Sequence, residues 1–209
     1  MYIPEYAKSK DDAEVSDLIK RYPFVTLISV TEAGSPVISH IPVVSEFKDG
    51  KLTSVKGHLA IKNPHVEVLK YNKKVTVIFH GPHTYITPKW YKSGRDVPTW
   101  NYCVVHVTGE LKLDSDFRSI TKNLAELTKE FEAGDPQPWK FELPEDLKSP
   151  EHLTRAIVAF EIIPQSVNGK FKLAQGRPAA DQQGVIDGLS TRQDEMSSEV
   201  SRLMQKNLR

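Results

Sequence analysis

The chain has 209 residues, 26% charged and 39% hydrophobic, and its 28 Lys and Arg against 27 Asp and Glu leave a formal net charge of +1. That balance suits a globular domain able to bury its own core, and it excludes a chain drawn to nucleic acid or an acidic membrane by its overall field. One cysteine, Cys103, rules out an internal disulfide and fits a reducing compartment, and no apolar run is long enough to span a bilayer. The N-terminal MYIPEYAKSKDD lacks an apolar signal core, so a single cytoplasmic domain over residues 1–209 is expected.

In chain order, Asp11 or Asp12 caps a short helix with Val15, Leu18 and Ile19 on its apolar side. Phe24–Val30 and Pro36–Val44 flank a Gly-containing turn and predict a hairpin. Asp49-Gly50 is a second turn signal, leading into a strand over Lys51–Gly57. Asn63-Pro64 reads as the cap and first residue of a helix running to about Tyr71. Val75–Phe79 is a strand that enters an aromatic segment, Gly81–Tyr102, expected to be a loop.

Beyond it, Cys103, Val105, Val107, Gly109, Leu111 and Leu113 alternate with polar residues, the period of a half-buried strand. Asp114 caps a helix whose stripe is Phe117, Ile120, Leu124, Leu127 and Phe131. Gly134–Pro150 is an irregular connection, Ala156–Ile163 a last strand, and helices are expected at about 179–189 and 192–207. Short strands in turn-separated succession with peripheral helices predict a mainly-β or α+β protein built on an antiparallel barrel or sandwich. Such a barrel fills its interior with its own side chains, which leaves a sizeable ligand outside it, often at a subunit seam.

The Gly81–Tyr102 segment holds Tyr85, Trp90, Tyr91, Trp100 and Tyr102, and rings in a loop need cover from a flat ligand or a partner chain. Trp90, Tyr91 and Trp100 offer walls for an isoalloxazine, and Thr99 and Asn101 offer hydrogen bonds to its edge. Anion binding has two candidates: the Gly57–Pro64 segment with Lys56 and Lys62 at a helix start, and Lys170, Lys172 and Arg177 around Gln175-Gly176. Metal ligation has weak support, because His80 and His83 lack a companion Cys or His set. His106 is open to two readings, a ligand-facing residue or a hydrogen-bonded sheet histidine.

MYIP, PFVTLISV, SHIPV, GHLA followed by NP, GPHTYITPKWY, VPTWNY, VHVTGEL and GKFKLAQGR occur in that order over about residues 1 to 190. Together they resemble the PaiB family of FMN-binding negative transcriptional regulators. The resemblance implies a split β-barrel like that of the pyridoxamine-phosphate oxidases, FMN at a homodimer seam, and a transcription-related role in bacteria. It implies cofactor-binding positions at His40, His58, Lys62, Asn63, Tyr85, Trp90, Trp100, Asn101, His106, Lys172, Gln175 and Arg177. Ser39, Gly57, Gly81, Pro82, His83, Tyr91 and Thr99 belong to the same motifs. Ile61 stands where the family usually has arginine, and Ala174 and Gly176 where it has serine and asparagine. Those departures predict a weaker grip at the phosphate end, since Lys62 is a point charge without arginine's fork.

Alternatives from other classes are a flavin-dependent oxidoreductase of unknown substrate, and an apo or haem-binding barrel with His83 or His106 as ligand. Regulation through DNA would need a basic stripe from Arg192, Arg202, Lys206 and Arg209 of both protomers. Regulation through a protein partner or metabolism needs none.

Overall fold

The computed structural model describes residues 1–94, 97–145 and 148–208. The strands are β1 (Phe24–Val30), β2 (Pro36–Pro42), β3 (Val44–Lys48), β4 (Lys51–Ala60), β5 (Lys74–Ile86), β6 (Thr99–Asp114) and β7 (Ile157–Lys172). They form one sheet in the order β2-β1-β5-β6-β7-β4-β3. β1 pairs antiparallel with β2 and β5, and β4 with β3 and β7. The helices are α1 (Asp12–Arg21), α2 (Pro64–Tyr71), α3 (Phe117–Phe131), α4 (Pro150–Ala156), α5 (Ala179–Ser190) and α6 (Glu195–Leu208). The class is α+β with the sheet dominant, as expected. None of the described helices is long and apolar enough to cross a membrane.

The chain divides into two compact units. The first comprises Met1–Leu18, His80–Val105 and Asn168–Arg209; the second comprises Ile19–Phe79 and His106–Val167.

In the second unit the β3–β4 turn places Asp49 and Gly50 at φ 51° and 77°, the left-handed pair that a two-residue hairpin demands. Asn63 caps α2, accepting the His65 N–H at 3.0 Å. Asp116 caps α3, accepting from Arg118 N–H at 2.9 Å and Ser119 N–H at 3.2 Å. The α3 stripe then buries Ile120 against Leu153 and Ala159, with Phe117 and Leu124 packed on them.

In the first unit α5 and α6 bury Val185, Ile186, Leu189, Val200 and Met204. Gly184 and Gly188 let Trp90 approach α5: a Cβ on Gly188 would lie 2.3 Å from the Trp90 ring, and one on Gly184 2.1 Å from its carbonyl oxygen. The N-terminal segment is tied to β7 by Ser9 N–H donating to the Gly169 carbonyl at 3.2 Å and by a bridge between Lys8 and Lys170.

Five expectations need correction. The aromatic segment is not a loop throughout, because Gly81–Ile86 continues β5 and Thr99–Tyr102 begins β6. Gly81-Pro82 hid the strand, since such residues normally end one, yet Thr84 and Ile86 are buried and His83 and Tyr85 exposed in strand alternation. The last strand runs to Lys172 rather than Ile163: its middle, residues 163–168, is largely exposed, so no apolar run marks it. Asp116, not Asp114, caps α3. Pro36–Val44 is divided between β2 and β3, and α4 lies where no helix was expected.

Candidate functional site

An open cavity of about 380 Å³ in the first unit is lined by Tyr6, Thr99, Asn101, Lys172, Ala174, Gly176 and Arg177. Thr99 and Asn101 come from the start of β6, Lys172 ends β7, and the rest of the basic wall follows it directly. Lys172 Nζ donates to Thr99 Oγ1 at 2.5 Å and to the Trp100 carbonyl at 2.9 Å, which aligns the two strand ends. Gln175 holds the turn between the cations: its Nε2 donates to the Phe171 carbonyl and its Oε1 accepts the Leu173 N–H at 2.8 Å. Within this turn Ala174 takes φ 66°. The Arg177 guanidinium lies 4.0 Å from the centre of the Tyr91 ring. The Ser93 backbone N–H holds the Asp181 carboxyl below the usual carboxylate range, which keeps it anionic near Arg177. Asn101 is buried, and its amide donates to Met204 Sδ at 3.3 Å.

The aromatic residues fall into two groups. Trp100 and Tyr85 are 51% and 40% exposed and meet edge to face at 6.3 Å, with His83 6.0 Å from Trp100. Trp90 is half-buried and already has cover inside the chain, between Gly188 and the Arg192 guanidinium 4.7 Å from its ring. Arg192 also donates to Thr84 Oγ1 at 2.7 Å and to the Tyr85 carbonyl at 2.9 Å.

The remaining sequence candidates lie in the second unit, mostly with structural partners. His40 is exposed on β2, with Nδ1 3.1 Å from Thr26 Oγ1. Besides capping α2, Asn63 donates to Ser39 Oγ at 3.1 Å. Ser39 in turn meets His65 Nδ1 at 2.9 Å, and Ser29 Oγ meets His65 Nε2 at 2.8 Å. Lys62 is exposed in the turn before α2, and His106 is half-buried on β6. His58 Nδ1 lies 3.1 Å from Asn123 Oδ1 on α3. Asn123 lines a second cavity, also about 380 Å³, together with Lys56, Lys112 and Lys122 and with Asp114, Glu126 and Glu161. There three cations face three carboxylates, and Lys56 is further paired with Glu46 at 2.6 Å.

Residues 1–165 match the family described as "Putative FMN-binding domain". The chain belongs to this family. The FMN-binding assignment agrees with the sequence resemblance, and FMN is the cofactor it gives this protein. The chain is 31% identical to the Bacillus subtilis protein "Protease synthase and sporulation protein PAI 2", over all of this chain and 99% of that one. It is also 31% identical to an uncharacterised Emericella nidulans protein, covering 72% of this chain and 73% of the other. Among solved structures, an FAD and haem binding protein from Mycobacterium smegmatis superposes with a TM-score of 0.60 at 15% identity, over 79% of this chain and 73% of that one. A flavocytochrome from Azotobacter vinelandii gives 0.59 at 12% identity, over 81% and 72%. At those identities the likeness is one of fold, and it is the split-barrel fold expected.

For a member of an FMN-binding family, the donor chemistry of the two cavities differs in a telling way. The first-unit cavity presents an ammonium, a guanidinium, a hydroxyl and an amide, and among the described residues none of those lining it is a carboxylate. That set suits a phosphate, whose oxygens accept charge-assisted bonds from Lys and Arg. The second-unit cavity cancels its own charge. The family match includes Tyr6, Thr99 and Asn101 and ends before Lys172 and Arg177, which fall within the full-length likeness to the Bacillus protein. Sequence reasoning missed Tyr6 and His65, and considered Arg192 only as part of a basic stripe for DNA. Tyr6 stands two residues after the MYIP motif, which was its one signal. Arg192 and His65 are isolated polar residues whose contacts come from distant parts of the chain.

Proposed function

We propose that this protein holds FMN with its phosphate in the cavity of Lys172 and Arg177, at the seam of a homodimer, and acts as a flavin-dependent regulator. The observation that carries the reading is the cavity at the ends of β6 and β7, lined by cations and, among the described residues, by no carboxylate. Lys172 and Arg177 would neutralise the phosphate, Thr99 and Asn101 would bond its oxygens or the ribityl chain, and Trp100 would face the ring system. When bound, FMN supplies one- or two-electron transfer. The half-exposed Trp100 and Tyr85 support a seam, because rings of that size are usually covered by a ligand or a partner.

Regulation through a protein partner or through metabolism fits the side chains better than direct DNA contact. Arg192 is turned onto Trp90 and Thr84, and Arg202 is paired with Glu199 at 2.6 Å. Lys206 is left as a basic residue of α6, and Arg209 lies outside the described residues. The experiment is FMN titration by flavin fluorescence, with native mass spectrometry for the dimer. Arg177→Ala should lower affinity roughly tenfold or more, as expected for a lost charged hydrogen bond, while Lys56→Ala leaves it unchanged. The reverse result would move the phosphate to the second-unit cavity and overturn the assignment.

A further inference from the structure

We infer that Tyr6 is a ligand-contacting residue, and that the N-terminal segment carrying it is a fixed wall of the site for a phosphorylated planar ligand. The inference rests on the FMN reading above.

Among the described residues, Tyr6 is the one aromatic side chain lining this cavity, where its companions include Thr99, Asn101, Lys172 and Arg177. It is 56% exposed, although it belongs to a short 3-10 turn, Glu5–Ala7, whose neighbour Ala7 is wholly buried. The segment is pinned on both sides of that turn. Upstream, the buried Lys170 ammonium donates to the Tyr2 carbonyl at 3.0 Å and lies 5.5 Å from the Tyr2 ring. Downstream, Ser9 N–H donates to the Gly169 carbonyl at 3.2 Å. Both anchors are on β7, two or three residues from Lys172. A terminal segment normally frays. Here it is tied at Tyr2, Ala7 and Ser9, yet leaves the Tyr6 ring half in solvent at the cavity that holds the two cations. A ring held in that way pays little conformational entropy on stacking against a flat ligand. Gly176 adds room in the same cavity, since a Cβ placed there would touch nothing within 4 Å.

The chemistry favours a ligand with an anionic end for Lys172 and Arg177 and a planar end for Tyr6. Aromatic stacking of this kind is worth about five- to a hundredfold in affinity on truncation to alanine. The experiment is FMN titration of the full-length wild type, Tyr6→Ala, Tyr6→Phe, Lys170→Met and the Tyr6→Ala/Lys170→Met double variant, with thermal unfolding of each apo protein as a folding control. Tyr6→Ala is expected to weaken FMN roughly tenfold, and Tyr6→Phe to bind within about twofold of wild type. Lys170→Met, which frees the segment without removing a lining residue, should weaken FMN in the wild-type background and have no further effect once Tyr6 is alanine. If Tyr6→Ala binds FMN as the wild type does while Arg177→Ala fails, the inference falls and the FMN reading stands. If Lys170→Met and Tyr6→Ala add independently, the positioning role is refuted. A wild type that binds no FMN overturns both.

Discussion

Ser39→Ala is the sharpest test of how the strands around α2 are held together. His65 is 0% exposed, and its two ring nitrogens meet two serine hydroxyls, Ser29 at 2.8 Å and Ser39 at 2.9 Å. Ser39 Oγ already accepts from Asn63 Nδ2, so its own proton is free to donate to His65 Nδ1, leaving Nε2–H to donate to Ser29. Both serines are themselves buried. Removing the Ser39 hydroxyl leaves a buried imidazole nitrogen and the Asn63 amide without that partner. A buried polar group left unsatisfied costs about 1–3 kcal/mol, and for a chain of this size that lowers Tm by roughly 2–4 °C per kcal/mol.

The same site sets a pH dependence. Burial lowers the His65 pKa below its ordinary value, so the unfolded chain takes up the proton first as pH falls. Stability from this group is therefore complete above about pH 6.5, the unfolded value, and is lost as pH drops towards the depressed folded value. Urea unfolding at pH 8 and pH 5.5 measures both effects. Wild type should lose stability at the lower pH, and His65→Gln should lose less between the two. A Ser39→Ala variant within about 0.5 kcal/mol of wild type at pH 8, or a His65→Gln variant with an unchanged pH response, would refute the account.

Three further predictions are independent of ligand. Burial pushes the Cys103 thiol far above its ordinary range, so iodoacetamide at pH 8 should label native protein slowly and urea-unfolded protein fast, read by intact mass; equal rates would place the thiol at the surface. Asp116→Ala removes the α3 cap and should cost about 1 kcal/mol, measured by urea unfolding, whereas Asp114→Ala should cost less. Ala174 holds φ 66°, a conformation glycine adopts without the Cβ penalty, so Ala174→Gly should raise stability by about 0.5–1 kcal/mol. A lower Tm for that variant would mean the turn is fixed by something other than its backbone.

Local physics was legible in the chain. An apolar run before a Gly-containing turn marked β1, alternation marked β6 from Cys103 on, Asn63-Pro64 marked the start of α2, and the two-residue turn at Asp49-Gly50 needed only its positive φ angles. Cys103 was placed on the apolar face of its strand and is buried there. Ordered motifs carried the family, because each is a run of neighbouring residues. What a linear reading lacked was every contact made at long sequence separation. Trp90 looked like a free wall, but Gly184, Gly188 and Arg192, about a hundred residues on, give it cover. Asn63 read as a cofactor candidate and a helix cap, and its support of Ser39 showed only in three dimensions. The pattern also stopped where burial stopped, so the exposed middle of β7 carried no apolar signal although its backbone remained in the sheet. Propensity and periodicity act between near neighbours and so determined most of the elements. Only the tertiary structure could bring Tyr6, Thr99, Lys172 and Arg177 to one cavity with no carboxylate among the described residues that line it, because that arrangement depends on where distant strand ends meet.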